Sequence, residues 1–217
     1  VTMVTAGICT VAANQDGNGS YSAAPQMTQN VMLATLGAQA LEKPAYPVIF
    51  IHGFNSDASA WGKFSSALRA NGWSDGGTLR ANSTVPGPAD FYKSSFSNNH
   101  ELTFSEQGAE LAHVISAVLA ANPTKNKVIL VGHSMGGLAA RAYLQGQAGV
   151  RYSDRNDVDA LITVGTPHQG SLEAQRCFEK SSCAAGLDFF HFYPDSKAFQ
   201  ALLPGSYGLG KLNSFPG

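Results

Sequence analysis

Charged side chains are scarce in this sequence. Asp, Glu, Lys and Arg make up 13% of its 217 residues, whereas they account for about a quarter of an average soluble protein. Lys and Arg number 14 against 15 Asp and Glu, so the formal net charge is −1. Without a basic excess the chain lacks the electrostatic attraction that nucleic acids and anionic membrane surfaces require, and we expect neither as a partner.

Long apolar runs and cysteines are few as well. No run approaches the roughly 18 apolar residues of a transmembrane helix. The N-terminus lacks the basic start of a secretion signal, so we expect a soluble protein whose targeting peptide has been removed. The cysteines are Cys9, Cys177 and Cys183. If Cys177 and Cys183 close a small loop, one thiol has no partner in this chain; three free thiols are the alternative. Low charge together with abundant Gly, Ser, Asn and Thr favours a secreted protein.

Apolar residues are plentiful enough for one hydrophobic core. Hydrophobic residues make up 44% of the chain and aromatic residues 10%, which predicts one globular domain with at most a small appendage. Changes in composition divide the chain into residues 1–45, 46–170 and 171–217. The first segment is small and polar, and its turn cluster at residues 16–20 indicates a hairpin.

Three short apolar runs indicate strands that are buried on both faces: Val48–Ile51, Val128–Val131 and Ala160–Val164. Helical patterns separate these runs. The clearest one begins at Thr103 and Glu106, which form a capping box ahead of apolar residues at helical spacing. Strands that alternate with helices predict an α/β fold, in which a mainly parallel sheet carries helices on both faces.

The sequence Gly-His-Ser-Met-Gly-Gly at residues 132–137 directly follows the second apolar run and precedes a helical stretch. It matches G-x-S-x-G in the strand-to-helix context that the motif requires. A serine on such a tight turn has a strained backbone that exposes its hydroxyl, and the adjacent helix N-terminus favours the negative charge that develops during attack on a carbonyl. Ser134 is therefore the predicted nucleophile.

The sequence His52-Gly53-Phe54 follows the first apolar run. In this architecture, one oxyanion donor is the amide of the residue after the nucleophile, and another comes from the loop after an early strand. These two amides belong to Met135 and Phe54. We expect the ring of His52 to brace the loop rather than to transfer protons.

The motifs HGF, GHSMGG and a later VGTPHQGS together resemble those of the secreted bacterial lipases and esterases of the α/β-hydrolase superfamily, over residues 47–171. The resemblance implies the α/β-hydrolase fold, hydrolysis of esters or triacylglycerols, no organic cofactor, and a Ser, Asp, His triad in that chain order. It also implies that His168, in the third motif, is a structural histidine. The sequence assigns no metal ligand, because a calcium site of the family type would draw its ligands from a region outside this chain.

The acid and the base of such a triad have no evident place in the sequence. No strand-like run follows Val164, and the one histidine after His168 is His191, which with Asp188 is the remaining candidate pair. We therefore expect the acid and the histidine to lie in a C-terminal segment or a separate C-terminal chain of the same protein.

Residues 178–199 hold a cluster of aromatic side chains. As a lid, this segment would cover the serine and present Phe189, Phe190 and Phe192 to an acyl chain. As a plug, the same aromatics would fill the open edge of the sheet. We expect the lid, because clustered apolar residues outside regular elements need a surface to cover.

Together these features predict a carboxylic ester hydrolase of the lipase or esterase type, acting on an ester or lipid through Ser134 and an acyl-enzyme. An acyltransferase that uses the same serine is one alternative. A non-catalytic, hydrolase-like binding module is another, and the missing acid and base favour it.

Overall fold

The structure, a computed structural model, describes residues 7–15, 24–33, 41–84, 87–149, 155–179 and 195–214. It divides into two compact units, Val1–Leu41 and Glu42–Gly217. In the first unit, strands β1 (Gly7–Gln15) and β2 (Ala24–Leu33) pair in antiparallel orientation. The turn cluster expected at residues 16–20 lies outside the described residues.

The second unit is built on a five-stranded sheet whose neighbouring strands are all parallel. The strands are β3 (Val48–Ile51), β4 (Asp75–Leu79), β5 (Phe91–Ser94), β6 (Val128–His133) and β7 (Val158–Val164). Their spatial order is β4-β5-β3-β6-β7, so the three predicted apolar runs form adjacent strands. Parallel pairing brings their carboxyl ends to one edge, where Ile51, Gly132 and Thr163 lie in register.

Helices connect the strands and continue after the sheet. They are α1 (Gly62–Ala70), α2 (Phe104–Ala121), α3 (Met135–Leu144), α4 (Leu172–Glu179), α5 (Lys197–Ala201) and α6 (Tyr207–Asn213), and a 3₁₀ turn covers Ala58–Trp61. The predicted capping box is confirmed: the Thr103 side chain accepts from the Glu106 N–H, and the Glu106 carboxylate accepts from the Thr103 N–H. Among the described helices, none has both the length and the apolar character needed to cross a bilayer.

Alternate residues of the central strand, β3, face different helices. Ile49 and Ile51 belong to the larger apolar cluster, which includes residues of α2 and α3. Val48 and Phe50 pack instead with Leu68 of α1. All four β3 side chains are buried, as expected for a strand with helices on both sides. The predicted α/β fold, a mainly parallel sheet with helices on both faces, is confirmed.

The outer strand, β7, differs from the expectation of a strand buried on both faces. Ile162 and Val164 are 53% and 45% exposed, and no described strand pairs with the outer edge of β7. With Phe64 of α1, these side chains line an apolar groove of about 680 Å³. The apolar run located the strand correctly, but hydrophobicity alone does not distinguish an edge strand from a central one.

A buried polar network joins α3 to the segment that leads into β7. The Tyr143 hydroxyl donates to Asp157 Oδ1 at 2.6 Å, and Arg155 Nε donates to Asp157 Oδ2 at 2.7 Å. Tyr143 and Asp157 are 0% and 4% exposed. A carboxylate removed from water needs such donors, because an uncompensated buried charge strongly destabilises the folded state.

Tyr143→Phe should lower the free energy of unfolding by about 1.5–3 kcal/mol, because it removes a donor to a buried carboxylate and leaves the ring in place. Tyr207→Phe is the matched control at a residue that is 79% exposed, and it should change that free energy by less than about 0.5 kcal/mol. Urea denaturation of both variants measures the difference. Equal effects in the two variants would show that the contact with Asp157 contributes nothing to stability.

Candidate active site

Ser134 lies between the end of β6 and the first residue of α3. Its backbone has φ 52° and ψ −127°, a strained conformation for a residue with a side chain and one that strand-to-helix nucleophile turns adopt. The Ser134 N–H donates to Val164 O at 2.9 Å, which anchors the turn to β7. Ser134 is partly exposed, so the residue is not enclosed in the core.

Three glycines of the motif permit close packing around this turn. A methyl group at Gly132 would lie 2.6 Å from Gly137 Cα. A methyl group at Gly136 would overlap the His52 carbonyl oxygen, and one at Gly137 would overlap the Thr166 hydroxyl. The glycines therefore allow α3 to begin directly against the ends of its neighbouring strands.

The loop after β3 approaches the serine closely. A methyl group at Gly53 would lie 2.8 Å from Ser134 Cβ, closer than side-chain carbons pack, so a larger residue would force the loop away. The next residue, Phe54, is fully buried. Its ring centroid lies 5.5 Å from that of His100 and 6.2 Å from that of Phe199. These contacts fix the backbone of Phe54, which directly follows Gly53 and its close approach to Ser134.

His52 braces this loop through two hydrogen bonds. Its Nε2 lies 3.3 Å from the Phe96 backbone nitrogen, which can only donate, so Nε2 accepts and the ring proton is on Nδ1. Nδ1 then donates to Gly53 O at 2.9 Å. Burial lowers the pKa of His52 and outweighs the opposing hydrogen bond with Gly53. The ring is therefore neutral at about pH 7, as the acceptance of the Phe96 N–H by Nε2 requires.

Asn99 and His100, which no sequence motif marks, hold the same loop. Asn99 Nδ2 donates to Ser56 O at 2.6 Å and to Gly53 O at 3.3 Å. His100 Nε2 lies 2.9 Å from Asn55 Oδ1, and Asn55 has a positive φ of 48°. The sequence around these residues is a polar loop without a pattern, so only long-range contacts reveal their positions.

His168, in the third motif, joins α3 to α6. Arg141 Nη1 lies 3.1 Å from His168 Nδ1, and because a guanidinium only donates, Nδ1 is the acceptor. Arg141 also donates to Leu212 O at 2.9 Å, and Asn213 Nδ2 donates to His168 O at 2.8 Å. Burial, with a smaller effect of the Arg141 charge, lowers the pKa of His168. The ring is therefore neutral and lies between α3 and α6, and the structural role that the resemblance implies for it stays a prediction.

The acid and base of a triad are not found in the described part of the chain. Among the described side chains, no His, Asp or Glu forms a hydrogen bond with the Ser134 hydroxyl. Asp188 and His191 fall within residues 180–194, outside the described residues. The described ranges also contain no group of His, Cys, Asp or Glu that fits a metal ion.

The strand order, the strand-turn-helix around Ser134 and the close approach at Gly53 place this molecule in the α/β-hydrolase class. A more specific match covers residues 43–182, which fit the family described as PGAP1-like alpha/beta domain. Because this match spans more than half of the chain, the chain belongs to that family.

The chain is also similar to two proteins that are named as a deacylase and a lipase. The chain is 30% identical over 129 residues to the GPI inositol-deacylase of Candida albicans (strain SC5314 / ATCC MYA-2876). This match covers 56% of this chain and 31% of that protein. The crystal structure of Bacillus licheniformis lipase BlEst2 in mature form has a TM-score of 0.51 and 26% identity, covering 78% of this chain and 57% of that chain. The chain therefore spans about a third of the length of the deacylase and little more than half that of the lipase.

His52→Gln should make stability less dependent on pH. Burial lowers the pKa of His52 below 6.5 in the folded state, so the unfolded chain binds more protons between that lowered pKa and 6.5. The free energy of unfolding of the native chain therefore falls as the pH falls through this window. In the variant, the slope of the free energy of unfolding against pH should be smaller by up to about 1.4 kcal/mol per pH unit.

Urea denaturation at a series of pH values between about 7.5 and 5 measures this slope. His113→Gln is the matched control, because His113 is exposed on α2, and it should keep the native profile. An unchanged slope in His52→Gln would contradict the neutral, buried state of this ring.

Proposed function

We propose that this chain carries the nucleophilic part of a carboxylic ester hydrolase, in which Ser134 attacks the ester carbonyl. The observation that carries the proposal is the close approach of Gly53 to the strained turn at Ser134. This approach supports the amide of Phe54, the next residue in the chain, as one of the two proposed oxyanion donors.

The second proposed oxyanion donor is the N–H of Met135. Met135 is the first residue of α3, and the first N–H groups of a helix have no carbonyl one turn earlier to accept them. The partial positive charge at the helix N-terminus also stabilises an alkoxide there. Loss of one oxyanion donor slows a serine hydrolase by about 10²–10³-fold.

Hydrolysis through Ser134 proceeds in two stages. The Ser134 Oγ bonds to the carbonyl carbon while its proton passes to a general base, and the alcohol then leaves with that proton as its bond to the carbonyl carbon breaks. A water molecule repeats these steps on the acyl-enzyme and releases the carboxylic acid. This chemistry requires no organic cofactor.

An acyl ester of a lipid is the substrate class that we propose. The Candida albicans relative is named an inositol-deacylase, and the Bacillus licheniformis neighbour is named a lipase.

The lid-like role of residues 171–217 is part of this proposal. Leu172 and Phe178 of α4 are 65% and 52% exposed, which supplies apolar surface after β7. Phe199 is instead buried against Phe54, and Phe189, Phe190 and Phe192 lie outside the described residues.

The catalytic acid and histidine, in this proposal, belong to polypeptide that adds to the sheet beside β7. Two observations support it: no described strand pairs with the outer edge of β7, and the side chains of Ile162 and Val164 are exposed, whereas a parallel strand is normally covered on both faces. A further parallel strand would end at the same sheet edge as β6, separated from the Ser134 turn by β7. The partial coverage of both similar proteins is consistent with this arrangement.

We also propose that the protein is secreted. Cys177 is disulfide-bonded, which removes the alternative of three free thiols. Disulfides persist mainly in oxidising compartments, such as the extracellular space. The position of Cys183 lies outside the described residues.

If the acid and the histidine lie beyond this chain, the active native protein contains more polypeptide than these 217 residues. Intact-mass spectrometry of an active, untreated native sample should show a species heavier than 22.7 kDa, or a second polypeptide beside one of 22.7 kDa. Full esterase activity from a single 22.7 kDa chain would contradict this part of the proposal.

A fluorophosphonate probe should label this chain at Ser134. The serine Oγ forms a bond to phosphorus, fluoride leaves, and the proton passes to solvent. Because the described residues provide no base, labelling should be slow, although a serine hydrolase without its full triad still accelerates its reaction about 10³–10⁴-fold over water. Peptide mass spectrometry locates the adduct.

Ser134→Ala should abolish the labelling, whereas Ser66→Ala, at an exposed position of α1, should leave it unchanged. A silent Ser134 would favour the non-catalytic binding module. Products formed with a competing alcohol distinguish hydrolysis from the acyltransferase alternative, because a transferase would release a new ester in place of the acid.

A further inference from the structure

Gln107 is a buried amide beside the serine turn. It lies in the first half of α2 and is 0% exposed. Its Nε2 donates to Leu102 O at 2.9 Å and lies 3.9 Å from the Met135 sulfur. Its Oε1 is buried and has no hydrogen-bond partner among the described residues.

The orientation of this amide is fixed by its neighbours. A carbonyl oxygen only accepts, so Leu102 requires the nitrogen of Gln107 and the oxygen must point elsewhere. A buried acceptor without a partner destabilises the folded state, and an apolar side chain of similar size at this position would avoid that cost. Packing alone therefore does not explain a glutamine here.

Gln107 contacts the two segments that hold the proposed oxyanion donors, through Leu102 on one side and Met135 on the other. Leu102 closes the turn that begins at Asn98, since its N–H donates to Asn98 O at 3.1 Å. The same turn contains His100, which contacts the Phe54 ring. On its other side, Gln107 contacts the side chain of Met135, whose amide is the second donor.

We propose that Gln107 is a positioning residue that sets the separation of the Phe54 and Met135 amides. This inference rests on the proposed function, because the two amides matter together only as an oxyanion site. Through its bond to Leu102 the side chain holds the loop that supports Phe54, and through its contact with Met135 it holds the start of α3. The unpaired oxygen is the cost of placing an amide nitrogen at this point.

Gln107→Met tests the proposal, since it keeps the size of the side chain and removes both the donor and the unpaired oxygen. Gln145→Met is the matched control. Gln145 follows α3 at its far end and also has a buried Oε1 without a partner among the described residues. Gln107→Leu serves as a second variant if Gln107→Met does not fold.

The first readout is hydrogen exchange of the Phe54 and Met135 amides, which does not depend on activity. Exchange at these two amides should become about tenfold faster in Gln107→Met and stay unchanged in Gln145→Met. The second readout is the labelling of Ser134 by the fluorophosphonate. Its maximum rate should fall about 3- to 30-fold with an unchanged half-saturating probe concentration, a smaller loss than removal of an oxyanion donor causes.

Unchanged exchange at both amides in Gln107→Met, or equal changes in Gln145→Met, would overturn the positioning role. If Gln107 served only stability, Gln107→Met would shift the unfolding midpoint in urea. It would not lower the maximum labelling rate while leaving the half-saturating probe concentration unchanged. If Ser134 fails to react in the native chain, the proposed function fails, whereas hydrogen exchange still decides the role of Gln107.

Discussion

The close approach between the loop after β3 and the turn after β6 is the constraint on which the functional end of this molecule depends. Gly53 leaves space for Ser134, and Gly136 leaves space for the carbonyl group of His52. The two strands are locked in parallel register from Val48 opposite Ile129 onwards. A shift of either strand would separate the serine from the neighbouring loop, so the pairing that builds the core also determines the geometry of the site.

Polar contacts maintain this approach against backbone strain. Positive φ values at Asn55 and Ser134 are unfavourable for residues with side chains, and they persist only where the surroundings determine them. Hydrogen bonds from His52 and Asn99 converge on the carbonyl of Gly53. These hydrogen bonds therefore hold the backbone of the loop, to which the proposed oxyanion donor belongs.

Much of this architecture follows from local patterns. Short apolar runs located β3, β6 and β7, the Thr103 and Glu106 pair located the start of α2, and the glycine pattern located the turn at Ser134. The residues of each signal lie close together in the chain, so the sequence alone is enough to recognise it.

Other features depend on contacts between distant segments. Asn99 and Gly53 are 46 residues apart in the chain, and the place of Gln107 beside Met135 follows from the packing of α2 against α3. Composition groups Phe199 with the aromatics of the predicted lid, but the residue packs in the core. The exposure of β7 likewise depends on which strand has a neighbour. Hydropathy alone does not reveal such pairings, because an edge strand can be as apolar as a central one.

The composition of β7 also bears on how this polypeptide behaves at high concentration. A bare strand edge presents regularly spaced main-chain donors and acceptors to any other extended chain, and natural proteins often deter such additions with charges or proline. The sequence of β7, VDALITV, contains one ionisable residue, Asp159, and no proline. Where this edge is left uncovered, its low charge favours intermolecular β-sheet pairing and, with it, self-association.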